Sequence, residues 1–411
     1  MRKHILKIVF LLVAVLIAPN TVWAEPEIRS VTPVTTFTHG ALVTIGGRLF
    51  GTKTQPAPYI WDDASGSDPL QKWDVVYPFT NDAAFRLAYR APSQVTRANG
   101  ATGGVALPHS HIQKYICGAH YRSGNMDAYS GWNVAAVKNN QEGQTYTYIS
   151  YYRTIDPHWY LHANCQAGQE YRCDHNFKEY DYAEGYGIYG NMNNIYFGNE
   201  SGSSPFDNLV WGGMYIEGMN LTINSVNPAF MTWYPQYNTV FSSVGVPGVG
   251  QGWQKVELIL KHNSLDGFHR IFQDNHLVWD VSLDDDGLAA GPRVETVFGG
   301  FARESGNAEE YKNNWRYYAD VYYDHSLARV MLANNARYDL ATITEPQIIS
   351  TWSDGSISAT LNLGRLPDSG TVYLFVFDAG NVHNQTGYLI TLGSGPPANL
   401  SPAAPTGLTV L

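Results

Sequence analysis

Apolar and polar residues alternate with a period of two through most of this chain. Leu42 and Thr44 interleave with Val43 and Ile45, and similar runs cover residues 144–153, 209–216, 252–263, 267–279 and 315–324. Gly, Asn and Asp punctuate the gaps, and no long amphipathic helix competes. Such a pattern predicts strands joined by tight turns, stacked as an all-β, two-sheet antiparallel sandwich. Composition agrees: 13% aromatic residues, with 28 Tyr, 11 Trp and 39 Gly against 15% charged, suit strands and turns. Tyr and Trp also suit a neutral glycan, because aromatic faces stack on the C–H faces of sugar rings; most of them are nevertheless expected simply to fill the core.

The ends read differently. Arg2, Lys3 and Lys7, an apolar stretch from Ile8 to Ile17 and the small-residue site Val22, Trp23, Ala24 predict a signal peptide over residues 1–24 and a secreted, periplasmic or surface location. The apolar stretch is short of the ~20 residues of a membrane-spanning helix. Removing residues 1–24 takes the formal net charge from -10 to -13, since three cations and no acid are lost. That balance argues against nucleic acid or anionic lipid as a partner. Residues 394–411, rich in Pro, Gly and Ser, predict an extended tail. Its last residues, from Ala404, resemble the first strand of a fibronectin type III domain.

Two segments far apart share one resemblance. His39 to Gly51, with the pattern G-x-x-V-T-I-x-G-x-x-F-G, resembles the opening of an IPT/TIG immunoglobulin-like domain, whose later half is missing after Gly51. That half is found in residues 326–393, through Trp352, Ser353, Asp354 and the runs at 371–377 and 387–392. The reading is an immunoglobulin-like domain split between residues 25–77 and 326–393 by a large insertion; two separate small β domains are the alternative. The inserted block, residues 78–325, resembles the concanavalin-like jelly roll of lectins, β-glucanases and several polysaccharide lyases.

Within the block, Glu179, Asp181 and Glu184 have the spacing E-x-D-x-x-E in a run of aromatics. Glu179 and Asp181 share one face of a strand, and a β-bulge at Tyr182 or Ala183 would bring Glu184 onto it. Three acids in one groove suit glycosidic cleavage. The motif resembles the catalytic strand of laminarinase- and lichenase-type retaining glycoside hydrolases, although that family usually has aliphatic or Met residues where this chain has Tyr180, Tyr182 and Ala183. The resemblance implies Glu179 as nucleophile, Asp181 as its orienter and Glu184 as acid/base.

A second enzymatic reading uses the other face. Asn176, Phe177 and Lys178 resemble the N-[WFY]-K strand of jelly-roll polysaccharide lyases, implying Lys178 and Tyr180 at the sugar carboxylate and its neighbouring proton. His120, Tyr121, Arg122, His109, His111, Tyr151, Tyr152 and Arg153 are further candidates of the right type, although an acidic chain attracts polyuronates poorly. A third reading is a non-catalytic protein that binds extracellular polysaccharide. Cys165 and Cys173 are the expected disulfide, leaving Cys117 buried or free. No cofactor is expected and no zinc spacing occurs; the turn Asp284, Asp285, Asp286, Gly287 is either plainly solvated or a structural calcium site.

Overall fold

The computed structural model describes residues 25–33, 36–77, 86–96, 102–119, 145–156 and 315–393 continuously, and between them the strands of residues 134–302 with some of their turns. The signal, the tail, His120, Tyr121, Arg122, Cys165, Cys173, Tyr180, Asp181 and residues 285–287 lie outside the described residues.

Among the described residues the strands build four antiparallel sheets. Two nine-stranded sheets form a jelly-roll sandwich. One sheet runs Asn220–Ile223, His276–Asp284, Gly267–Gln273, Gln254–Lys261, Tyr146–Ile155, Trp315–Asp324, Tyr115–Ala119, Ala88–Arg90, with Ile60–Asp62 also paired to Trp315–Asp324. The other runs Phe230–Trp233, Thr239–Val244, Asn208–Ile216, Ile188–Asn199, Tyr182–Gly185, Arg293–Ala302, Val134–Asn139, Val75–Tyr77, with Phe177–Glu179 also paired to Ile188–Asn199 and Arg293–Ala302. Neighbours distant in sequence, such as Tyr146–Ile155 beside Trp315–Asp324, are what a jelly roll requires. Between the two sheets, Ile149, Tyr151, Val256, Leu258, Val321 and Tyr323 meet Val76 and Ala136. Strand Trp315–Asp324 is buried throughout, so the sheet is covered on both faces at this strand.

The chain's two ends make a second, smaller sandwich. Strands Glu27–Pro33 and Leu42–Arg48 join Ser356–Thr360 and Ile348–Ser353 in one sheet, with Val43 opposite Ala359 and Ile45 opposite Ile357. The facing sheet holds Thr344–Pro346, Arg329–Ala333, Gly370–Phe377 and Tyr388–Leu392. Phe375 therefore lies across the sandwich from Val43, while Ile349 shares its sheet. Val43, Ile45 and Ile357 from the first sheet and Leu332, Val372 and Leu374 from the second fill one core. Alternation explains it: Leu42–Arg48 begins exposed, buried, exposed, buried, and every second residue enters the core. The N-terminal share is smaller than the expected 25–77, because Ile60–Asp62 and Val75–Tyr77 pair into the large sheets. Their short apolar runs carry no composition of their own to mark that change of partner.

A core assembled from both ends predicts that Ile45→Ala and Leu374→Ala each cost about 2–5 kcal/mol in a urea titration. Loss of stability in only one of the two would contradict a shared core.

Candidate functional site

The acidic strand lies in the interior of the second large sheet. Phe177–Glu179 and Tyr182–Gly185 both lie between Ile188–Asn199 and Arg293–Ala302. Against the latter, Lys178 stands opposite Phe301, Tyr182 opposite Val297 and Glu184 opposite Glu295, so both strands advance residue for residue. Against the former, Glu179 stands opposite Ile195, Tyr182 opposite Met192 and Ala183 opposite Asn191. Among the described residues the register shifts only on approaching Gly185, between Glu184 and Gly185 on one side and between Ala183 and Gly185 on the other. The bulge expected at Tyr182 or Ala183 is thus displaced toward Gly185, the residue that tolerates a bulge conformation most readily. In an unbroken ladder, positions two or four apart are equivalent. Positions 178, 182 and 184 are then in phase, and 179 is out of phase with 184.

The remaining lyase candidates sit elsewhere. Tyr151 belongs to the core between the large sheets, and Arg153 is buried on the strand of that core. His109, His111 and Tyr152 lie where the small sandwich covers the first large sheet. Among the described residues, the polar contacts between the two sandwiches end on that sheet, its turns or the segments beside it. Tyr152 donates its hydroxyl hydrogen to Glu345 Oε1, which also accepts from the Arg365 backbone N–H at 2.9 Å. Glu345 Oε2 is buried with no partner, and burial pushes the Glu345 carboxyl up to about 7, against the pull of the Lys255 ammonium. Lys255 Nζ donates to Thr344 Oγ1 at 3.0 Å and lies 3.6 Å from Glu257 Oε2. Tyr148 donates to the other oxygen of Glu257.

Asp320 sits at a β-bulge between Ala319 and Tyr322, with φ of 51°, a left-handed conformation that Asp tolerates better than most residues. The bulge aims its carboxylate at His109, whose Nε2 lies 2.8 Å from Oδ2. Burial alone lowers the basicity of His109, but this carboxylate more than offsets it and leaves its pKa raised. Nothing in the sequence singled out Asp320, Glu345 or Arg365. The first is one polar residue in an aromatic strand, and the other two acquire meaning only when the sandwiches meet.

Tyrosine beside glutamate and histidine beside aspartate resemble acid–base pairs, yet beside the tyrosine–glutamate pair space decides against a substrate. The cleft lined by Tyr152, Lys255, Asp274, Asn275, Thr344 and Arg365 measures about 10 Å³, room for a single water. A sugar ring does not fit, and the cluster acts as a joint. Among the described residues no group of His, Cys, Asp and Glu is arranged to hold a metal, and no helix is long and apolar enough to cross a membrane. Cys117 is buried, which pushes its thiol up to about 12.

No protein-family model matches the chain, and no curated protein does. Among solved structures it is similar to the alginate lyase Aly36B, at 12% identity and a TM-score of 0.32 over 61% of this chain and 96% of that one. It is also similar to the alginate lyase vAL-1 from Chlorella virus, at 11% identity and 0.33 over 53% and 88%. An endo-1,3-beta-glucanase from Streptomyces sioyaensis gives 10% and 0.31 over 67% and 98%. The likeness is slight in each, and no residue role is taken from it.

Glu345 sets the alkaline limit of the joint. Its folded pKa of about 7 lies above the ordinary 4.5, so its contribution is whole below pH 4.5 and is lost as pH rises through about 7. The loss is about 3 kcal/mol. Glu345→Gln should remove that decline from a urea stability profile, and an unchanged decline would show that another group titrates.

Proposed function

We propose that the protein is secreted and acts on an extracellular polysaccharide, cleaving it by elimination on the sheet that carries residues 177–184. The observation that supports this reading is the register from Lys178 to Glu184. Retaining hydrolysis by Glu179 and Glu184 requires an offset before Glu184, and the offset falls after it. The same register keeps Lys178 in phase with Tyr182, as a lysine–tyrosine face requires. The joint with the small sandwich, which we read as immunoglobulin-like, occupies the opposite sheet.

In the proposed reaction the Lys178 ammonium faces a uronate carboxylate and offsets the charge that develops as the neighbouring C5–H is broken. Tyr180, in the phenolate form, takes the C5 proton. The electron pair left on C5 becomes the C4–C5 double bond, the C4–O bond breaks, and the departing oxygen takes a proton from the tyrosine or from water. Water is not consumed, and the new non-reducing end is unsaturated. Position 184, in phase with 178, then serves binding and local charge, while positions 179 and 181 fall on the opposite phase and take no part in the chemistry.

The test is to incubate the protein with neutral and uronate polysaccharides, reading reducing ends and ultraviolet absorbance together. Both signals should rise on a polyuronate. Lys178→Ala and Tyr180→Phe should each lower turnover by about 10²–10⁴-fold, while Glu179→Gln leaves the absorbing product in place. Reducing ends without absorbance, abolished by Glu179→Gln and Glu184→Gln, would instead establish hydrolysis. Silence in both signals with glycan still bound would make the protein a binding module.

A further inference from the structure

Three histidines meet where the small sandwich closes on the jelly roll. His39 comes from the turn before strand Leu42–Arg48, and His109 and His111 from the segment before strand Tyr115–Ala119. Opposite them lie residues 361–368, which connect the two sheets of the small sandwich. The His39 and His111 rings stack with centroids 4.1 Å apart and planes within 4° of parallel. The Leu363 backbone N–H donates to His39 Nδ1 at 3.2 Å, so this nitrogen carries no proton. Beside it, Gly40 N–H donates to Leu361 O and Leu361 N–H to Ala41 O, each at 2.8 Å. His111 Nε2 lies 3.1 Å from Asp368 Oδ1, and the His111 backbone N–H donates to His109 Nδ1 at 3.3 Å.

This arrangement suits neutral rings. A second proton on His39 belongs on Nδ1, where it would meet the Leu363 N–H donor head on. A second imidazolium on His111 would then stand face to face with the first across 4.1 Å. The charged groups around the stack do not offset that. Asp320 pulls on both rings, but it is paired with His109, whose charge pushes the other way, and Asp368 has a side chain 73% exposed, so water screens it. Glu345 and Arg365 face His109 with opposite signs. Burial holds both His39 and His111 below the usual histidine range; for His39 the nearby His111 adds to this, while for His111 the pull of Asp368 works against it.

We propose that the His39 and His111 stack is an acid-sensitive latch: when the pair takes up a proton, residues 361–368 separate from the turn at His39 and the small sandwich loosens from the jelly roll. The sign follows from linkage. A base held below its ordinary pKa in the folded state contributes stability that is present above that ordinary value and is lost as pH falls through the folded one. The latch therefore opens on the acid side, and it does so whatever chemistry the far sheet performs.

Hydrogen exchange of the full chain tests this at about pH 7.5 and about pH 5, on either side of the ordinary histidine value, after correction for intrinsic rates. Peptides covering 361–368 and 36–41 should lose at least about tenfold protection in acid. His111→Phe keeps a flat ring in the stack but cannot charge, and should flatten that loss. Equal protection at both pH values, or an acid loss unchanged in His111→Phe, would overturn the proposal. Should the variant not fold, the ring resonances of His39 and His111 in the native chain decide. Titration of both below the ordinary value, each shifted by the other, supports the latch, and independent titration at the ordinary value overturns it.

Discussion

The strand Leu42–Arg48 finds its partner, Ser356–Thr360, across some three hundred residues, and that pairing governs how everything between is held. Gly51 N–H reaches Asp354 Oδ1 at 2.9 Å over 303 positions, and Trp352 Nε1 donates to Gly51 O at 3.2 Å over 301. Closing a flexible loop of that length costs about 5 kcal/mol, and doubling it adds only about 0.6. Each fully buried Val, Ile or Leu returns about 1.5–3 kcal/mol. The N-terminal strands bring Val31, Val43 and Ile45 into the small core, and Phe37 and Phe50 join them. Burial of a few such side chains offsets closure, which is why so long an insertion is tolerated.

The insertion does not hang from the small sandwich as a free domain. Arg329–Ala333 is buried along its whole length: Val330 and Leu332 face the small core, and Met331 and Ala333 face Phe375, Phe377 and Tyr338 on the other side. The Arg329 guanidinium lies 4.6 Å from the Tyr148 ring and 3.8 Å from the Phe377 ring, joining a jelly-roll strand to a small-sandwich strand. Lys53 and Asp324 pair at 2.5 Å with almost no exposure. Buried ion pairs contribute little net stability, yet removing one partner leaves an uncompensated charge and costs about 3–5 kcal/mol. The seam is therefore specific in position and sensitive to protonation.

Much of the fold was legible because alternation is a local signal. The runs at Tyr146–Ile155, Gln254–Lys261 and Trp315–Asp324 announce themselves through Tyr, Val and Leu at every second position. Partner choice is not local. Ile60–Asp62 and Val75–Tyr77 look no different from edge strands of the first domain, and only their pairing assigns them to the large sheets. The same limit applies to the acidic strand. Glu179 and Glu184 are plain in the sequence, but their relation depends on where one residue is inserted into a ladder, and among the described residues the register shift falls beside Gly185 rather than at Tyr182. Asp320, Glu345 and Arg365 were invisible because each has a role only where the two sandwiches meet.

The proposed division of labour gives one large sheet to the joint and the other to a glycan, with Lys178 and Tyr180 rather than the paired acids at the chemistry. Mass spectrometry of the oligosaccharides released from a polyuronate tests this most directly. Elimination predicts new non-reducing ends one water lighter than saturated chains. Released chains that all carry the added water would show hydrolysis and contradict the account.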